Sequence, residues 1–233
     1  MQFRSLAAAL LAPAFALSLA ACDSDNSTGT GTGTNNNATI NFVNATGTSL
    51  DIAANGTVST GNGALSYGTS STCMSVDATS SGLAVRQTGT SAALPGFTPA
   101  YQAGGNYTVI AYPGVGTAIQ FATVSNAFAP ASGQGGLRVF NAATAGSNYD
   151  VYVTTPGAVL TTPAANNIGA GTGSSYFNVS TSAAQQIRIT NAGAQTVLLD
   201  VGNQAFTSGR NATLVIAPPA GGTTPRAFFV AGC

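Results

Sequence analysis

Lysine, glutamate, histidine and tryptophan are all missing from this 233-residue sequence, whose charged residues are six arginines and six aspartates. Serine and cysteine nucleophiles need a nearby base, usually histidine, so nucleophilic catalysis would lack its common partner. Zinc sites gather cysteine and histidine, and three cysteines without a histidine offer too few ligands. We therefore expect no enzymatic activity, no metal and no cofactor.

Charge of either sign is scarce, since charged residues make up 5% of the chain and the net charge is zero. If an N-terminal segment 1–21, which contains Arg4, is removed, five arginines and six aspartates leave a net charge of −1. A nearly neutral protein releases few counterions on binding DNA or RNA. A nucleic-acid partner is therefore not expected.

The first 21 residues have the pattern of an export signal. Leu6–Leu19 is apolar apart from one proline and one serine, Arg4 precedes it, and the small residues Ala20 and Ala21 follow. Such a run is too short to span a bilayer as a helix, which takes roughly 20 apolar residues. A short basic start, an apolar centre and a small-residue cleavage site predict a secretory signal peptide at 1–21.

Leu19-Ala20-Ala21-Cys22 resembles the lipobox of bacterial lipoproteins, in which the cysteine is acylated, for example with palmitate, and becomes the mature N-terminus. The resemblance implies a lipid anchor at Cys22 that holds the protein on a membrane of the bacterial cell envelope, facing the periplasm or the cell surface. An ordinary signal peptide, with Cys22 incidental, is the alternative. Residues 22–37 contain almost only Gly, Ser, Thr, Asn and Asp and predict a flexible tether, because they have no apolar surface to bury.

The rest of the chain repeats itself once. Short segments recur in the same order at an offset that drifts between 97 and 105 positions, as loops of different length would produce. We place a first repeat at 38–130, a linker at 131–134 and a second repeat at 135–233. The matched pairs are Phe42–Ala45 with Val139–Ala142, Leu50–Ile52 with Tyr149–Val151, Gly68–Thr69 with Gly171–Thr172, Met74–Val76 with Phe177–Val179, Val85–Arg86 with Ile187–Arg188, and Thr108–Ala111 with Thr213–Ala217.

The matched segments are short, rich in β-branched and aromatic residues, and bounded by turn-forming residues, which is typical of antiparallel strands. Several alternate with a period of two, as where Ile187 and Ile189 flank Arg188, so one face of each strand should be buried. Units of about 95 residues with such strands predict two tandem immunoglobulin-like antiparallel β-sandwich domains. A disordered low-complexity stalk is the alternative that the scarcity of charge leaves open.

Five segments of the second repeat, at 139–142, 149–153, 176–179, 187–190 and 214–217, resemble a family of bacterial envelope domains of unknown function, DUF4397. The resemblance covers most of the second repeat and is weaker in the first, which carries an apolar insertion around Leu94–Phe97. It implies a β-sandwich in an exported, often lipidated or surface protein. The family supplies no catalytic residues that could be carried over.

Four aspartates beyond the tether could act as acids, for instance in glycoside hydrolysis, which needs a pair of carboxylates. They are Asp51, Asp77, Asp150 and Asp200. Because Asp51 and Asp150 occupy equivalent places beside a strand in the two repeats, we interpret them as hydrogen-bonding groups of turns or strand edges.

Two functions remain open after these exclusions. The first is a non-enzymatic binding or adhesion module for an envelope protein, a polysaccharide or a second copy of the chain, and the second is a purely structural envelope spacer or surface-coat protein. Exposed tyrosines would favour the first function, because aromatic rings can stack on a carbohydrate. The candidates are Tyr101, Tyr107, Tyr112, Tyr149, Tyr152 and Tyr176.

Cys73 and Cys233 are the two cysteines beyond Cys22, one in each repeat. Cys73 corresponds to Tyr176 of the second repeat and has no cysteine partner in its own repeat. In an oxidising compartment two such thiols most simply pair with each other, which would join the two repeats. Free buried thiols and a bond between two molecules are the alternatives. An intramolecular bond requires Cα atoms within about 7 Å of each other.

Overall fold

The computed structural model describes residues 36–54, 57–58, 63–79, 82–144, 146–219 and 223–233. The predicted signal peptide, Cys22 and nearly all of the predicted tether lie outside these residues. Asn35–Cys233 form one compact unit. Within the described part of the chain, no helix is long and apolar enough to cross a membrane.

The described residues contain sixteen β-strands and no α-helix. This confirms the all-β prediction. The strands are β1 (Asn37–Asn44), β2 (Leu50–Ala54), β3 (Thr57–Val58), β4 (Thr69–Ser70), β5 (Met74–Asp77), β6 (Leu83–Gln87), β7 (Asn106–Pro113), β8 (Ile119–Ser125), β9 (Gln134–Asn141), β10 (Tyr149–Thr154), β11 (Ala165–Ile168), β12 (Phe177–Ser180), β13 (Gln185–Asn191), β14 (Val197–Gln204), β15 (Asn211–Ala217) and β16 (Arg226–Ala231).

Strands β1–β8, which we call the first half, and strands β9–β16, the second half, each build two sheets. In the first half, β4, β1, β7 and β8 lie side by side with β5 also on β1, and β3, β2 and β6 form the other sheet. In the second half the orders are β12-β9-β15-β16 and β11-β10-β13-β14. Each half is therefore a β-sandwich, and β14 has no counterpart among the described strands of the first half.

The pairing is antiparallel except for one parallel pair in each half, β1 with β7 and β9 with β15. Thr39 lies opposite Asn106 in the first pair, and Gly136 lies opposite Asn211 in the second. A parallel pair requires the chain to return to its starting end between the two strands. The intervening strands of the second sheet provide that return in both halves.

Three apolar clusters hold the unit together. One fills the first half around Ile40, Leu50 and Val85, and another fills the second half around Leu137 and Ile187. The third lies between the halves and takes buried side chains from both: Val43, Ala45, Ile110, Phe140, Ala142, Val215, Ala217 and Val230. The two sandwiches therefore pack face to face through β1 and β7 on one side and β9, β15 and β16 on the other.

One of the repeat matches is displaced by two residues in the structure. Val85 lies opposite Ile52, whereas Ile187 lies opposite Val153 and Ile189 lies opposite Val151. Because β2 and β10 correspond, the counterpart of Val85 is Ile189. A strand that alternates with a period of two matches itself again after two residues, so the sequence pattern could not fix this register.

Candidate functional site

A disulfide joins the two halves. It connects Cys73, just before β5, with Cys233, just after β16, and the two Cα atoms are 5.8 Å apart. Cys73 is exposed and Cys233 is partly buried. The pairing predicted from the sequence is present in the structure and crosses between the halves.

The equivalent place in the second half holds an aromatic stack. Tyr176 precedes β12 as Cys73 precedes β5, because Leu137 lies opposite Phe177 as Ile40 lies opposite Met74. Its ring stacks on Phe128 with ring centroids 5.2 Å apart and planes 13° apart. The disulfide and the stack therefore close opposite sides of the same interface.

Arg138 lies buried beneath this stack, 5% exposed, with its guanidinium carbon 4.5 Å from the centroid of the Tyr176 ring. It donates hydrogen bonds to the Ser125 carbonyl (2.7 Å), Asn126 Oδ1 (3.0 Å) and Thr213 Oγ1 (2.9 Å). Burial lowers the pKa of the guanidinium, and the interaction with Tyr176 opposes that change. The residue joins the two halves through neutral acceptors in place of a carboxylate.

Asn126 collects further contacts in the same interface. Its Oδ1 accepts from Thr108 Oγ1 (3.1 Å), and its Nδ2 donates to Asn106 Oδ1 (2.8 Å). Asn211 Nδ2 donates to the Asn126 carbonyl at 3.1 Å. Sequence reasoning missed both Arg138 and Asn126, because a single polar residue beside a strand usually indicates an exposed position.

The four aspartates beyond the predicted tether accept hydrogen bonds from neighbouring groups of the fold. Asp150, 5% exposed, accepts hydrogen bonds from the backbone N–H groups of Asn167 (2.6 Å) and Gly193 (2.8 Å). Asp51 accepts from Thr88 Oγ1 at 2.9 Å. Both contacts fit the turn and strand-edge role that their repeated position predicts.

The remaining two carboxylates also have local partners. Asp77 binds the backbone and the hydroxyl of Thr79, and Asp200 accepts from Gln186 Nε2 and from the Gly202 N–H. Among the described residues, no group of three or more Cys, His, Asp or Glu could hold a metal ion.

The structure does not bring the six candidate tyrosines together on a common exposed face. Tyr101, Tyr149 and Tyr152 are buried. Tyr112 packs edge-on against Phe140 between the halves, and Tyr176 covers Arg138. The rings supply apolar area to the cores, which the sequence could not distinguish from exposed positions.

The second half has an open side between its edge strands β14 and β16, where two clefts lie. The Arg210 cleft, of about 370 Å³, is walled by Phe206 and Phe229, with the exposed Arg210 and the half-buried Asn211 at its rim. The Arg226 cleft, of about 390 Å³, lies farther along the same strands and is lined by Leu199, Asp200, Val201, Pro225, Arg226 and Ala227. Apolar walls with polar groups at the rim are what ligand-binding clefts require.

A domain of unknown function, DUF4397, is matched at residues 38–152. These residues form a DUF4397 domain. The match covers the whole first half, β9 and the start of β10, so the expectation that the second half carries the stronger resemblance is wrong. The motifs quoted for the second half have counterparts in the first, which is why short motifs could not locate the domain.

The chain is similar to the C-terminal domain of AlgF from P. aeruginosa, with a TM-score of 0.32 and 13% identity over 42% of this chain and 98% of that chain. No curated protein matches the chain.

Proposed function

We propose that this protein is a lipid-anchored module of the bacterial cell envelope, made of two DUF4397-like repeats, that binds an envelope ligand without catalysing a reaction. The observation that carries this proposal is the open side of the second half. There the Arg210 cleft and the Arg226 cleft follow one pair of edge strands and offer apolar walls beside exposed guanidinium groups. Such a surface fits recognition of a partner.

The chemistry of the polar groups supports binding over catalysis. A general acid or base must reach the proton that it transfers, yet Asp150 is buried and bound by two backbone N–H groups. Arg138 is also buried, and its guanidinium donates hydrogen bonds to groups of both halves. The two clefts contain one carboxylate, Asp200, which already accepts two hydrogen bonds.

The anchor rests on the lipobox-like Leu19–Cys22 and the polar residues that follow it. Two or more acyl chains hold a protein stably on a membrane, since each buried methylene contributes about 0.8 kcal/mol. In the sequence, residues 23–36 lie between Cys22 and the start of β1 at Asn37. A fully stretched segment of that length would reach roughly 50 Å.

A structural spacer is the second candidate, favoured by the disulfide and the buried cluster between the halves. These features would hold the two sandwiches in one fixed arrangement, as a spacer needs. A spacer makes no use of an open apolar side, and for that reason we prefer the binding module.

One experiment addresses both the anchor and the binding role. Wild type and Cys22→Ser are expressed in a bacterial host, labelled with radioactive palmitate, cross-linked in intact envelopes and captured. We expect the label and the membrane fraction to be lost in Cys22→Ser, and a specific envelope protein or polysaccharide to be cross-linked to wild type. Equal labelling of the variant would refute the anchor, and capture of the chain alone would favour the spacer.

A further inference from the structure

The open side of the second half has a counterpart in the first half that a segment of the chain partly covers. There the chain crosses from β6 to β7 through residues 88–105, and Leu94 N–H donates to the Val85 carbonyl at 2.7 Å. Ala93 bridges to Arg86 as a strand would. The segment thus adds to the edge of β6 before it passes over the opening of the sandwich.

Phe97 is the anchor of this crossing segment. Its ring centroid lies 5.5 Å from that of Phe42 on β1 and 5.1 Å from that of Phe121 on β8. The short sequence around it, Leu-Pro-Gly-Phe-Thr-Pro, places small and proline residues beside one aromatic ring. The segment therefore covers β8 at Phe121, and a cleft of about 450 Å³ lies beside this contact, between residues 96–100 and the strands β7 and β8.

In the second half β14 takes the corresponding place at the edge of β13, but the aromatic contact over the neighbouring sheet is missing. Phe121 lies opposite Ala111 on β7, and the residue at the same place of β16, opposite Ile216, is Ala227. The Arg226 cleft opens at Ala227. An aromatic pair in the first half is thus replaced by a small side chain and an open cleft in the second half.

Strand β16 is the edge of its sheet beside the cleft, and among the described strands only β15 pairs with it. Gly232 N–H donates to the Asn211 carbonyl, so residues 228 and 230 direct their backbone groups toward β15, by the alternation of an antiparallel pair. The backbone N–H and C=O groups of Ala227 and Phe229 then point away from β15. The register of β16 with β15 is regular, whereas β14 carries two irregularities and a glycine at φ 82°. Bulges protect an edge from pairing, so β16 is the edge that can accept a strand.

We propose that the Arg226 cleft binds an extended peptide segment of a partner protein, which pairs with β16 and inserts one aromatic side chain over Ala227. This deepens the proposed binding function by naming the chemistry of the partner. Phe97 shows in the same molecule how such an anchor is bound, and addition of a strand to a free sheet edge is a common mode of peptide recognition. The rim offers Arg226 and Asp200, one charge of each sign, so a segment of small, uncharged residues around the aromatic fits it.

A synthetic peptide of residues 91–100 is the probe, titrated into the full-length chain in detergent. We expect saturable binding, weakened about 10- to 100-fold when Phe97 of the peptide is replaced by alanine, the loss of one buried aromatic side chain. A photo-reactive phenylalanine in place of Phe97 should cross-link to 197–204 and 226–231. The peptide variant leaves the protein unaltered, so misfolding cannot explain its effect.

Ala227→Phe fills the space over residue 227 with a ring of the protein itself and should abolish peptide binding. Ala118→Phe, on the exposed turn between β7 and β8, is the matched control and should bind as wild type. The proposal would be overturned if the peptide did not bind saturably, or if it cross-linked to Phe42 or Phe121. It would also be overturned if the chain formed a dimer that Ala227→Phe disrupts. Envelope capture that persists in Ala227→Phe would reject the cleft and leave the proposed binding function standing.

Discussion

The two halves share one framework and differ at its margins. Their parallel pairs have the same register, Thr39 opposite Asn106 and Gly136 opposite Asn211. They differ at the interface, where Cys73 of the first half forms the disulfide and Tyr176 at the equivalent place of the second half forms an aromatic stack. They also differ at the open side, where only the first half has an aromatic contact, Phe97 on Phe121. The central strands are therefore arranged alike in both halves, whereas the loops and the edges of the sheets differ.

Two buried asparagines make the same kind of contact at equivalent places in the two halves. Asn44, fully buried at the end of β1, donates from Nδ2 to the carbonyls of Thr48 and Leu65. Asn141, at the end of β9, donates in the same way to the carbonyls of Ser147 and Ile168. Each side chain thus binds two carbonyls of neighbouring chain segments and fixes those segments to the end of its strand.

The largest expected effect comes from removing the disulfide. Replacing both Cys73 and Cys233 by serine should lower the free energy of unfolding by about 5 kcal/mol, because the bond spans 160 residues and closes a long loop in the unfolded chain. Tyr176→Ala, at the equivalent place, should cost less, about 2 kcal/mol, since it removes one stacked ring. Urea denaturation of the three proteins measures the difference.

Non-reducing peptide mapping of wild type is the control for this comparison, and it should recover one peptide pair that contains both cysteines. Complete labelling of both thiols without reductant would contradict the bond. A cost for Tyr176→Ala equal to that of the double serine variant would show that the stack holds the halves together as firmly as the disulfide.

A smaller effect is expected from the two asparagines. Asn44→Ala and Asn141→Ala should each lower the free energy of unfolding by about 3 kcal/mol, because buried carbonyl and N–H groups lose their partners. Asn203→Ala, on the exposed side of β14, should change it by less than about 0.5 kcal/mol. Urea titration checks all three, and a cost in one half alone would break the equivalence of the halves.

Much of each sandwich could be predicted from the sequence. The pattern Met74-Ser75-Val76 alternates, and Met74 and Val76 do pack in the core of the first half, as Phe177 and Val179 do in the second. The period of two carries this information because it depends only on which face of a strand is buried. Asn44 and Asn141 lie in the first matched segment, where the asparagine and the alanine that follows it are the same in both repeats, but this match did not reveal their role.

The face-to-face packing of the halves could not be predicted in the same way. Val109-Ile110-Ala111 is apolar throughout, with Val109 in the core of the first half and Ile110 in the cluster between the halves. A strand buried on both faces has an unbroken apolar run, yet the run does not say what covers the second face. Arg138 shows the same limit, since its burial depends on Phe128 and Tyr176, which no local pattern joins.

The smallest expected effect concerns a buried hydroxyl that distinguishes the halves. Gly104 N–H donates to the Asn37 carbonyl as Gly209 N–H donates to the Gln134 carbonyl, so Tyr101 and Phe206, three residues earlier, occupy equivalent places. Tyr101 is 9% exposed and its hydroxyl has no hydrogen-bond partner among the described residues. In the second half, Phe206 fills the equivalent place without burying a hydroxyl.

Tyr101→Phe should raise the free energy of unfolding by about 1 kcal/mol at pH 7, because an unpaired buried hydroxyl is removed. Burial raises the pKa of Tyr101 above its ordinary value of 10.0, so in wild type the unfolded state ionises first and stability falls as the pH rises above about 10. The gain from the variant should therefore increase above that pH. Urea titrations at pH 7 and pH 10.5 measure both effects.

Tyr107→Phe is the matched control for this prediction. The neighbouring Tyr107 hydroxyl accepts from Gln102 N–H at 3.0 Å, so its loss should destabilise the protein. A loss of stability in Tyr101→Phe at pH 7 would show that the hydroxyl has a partner.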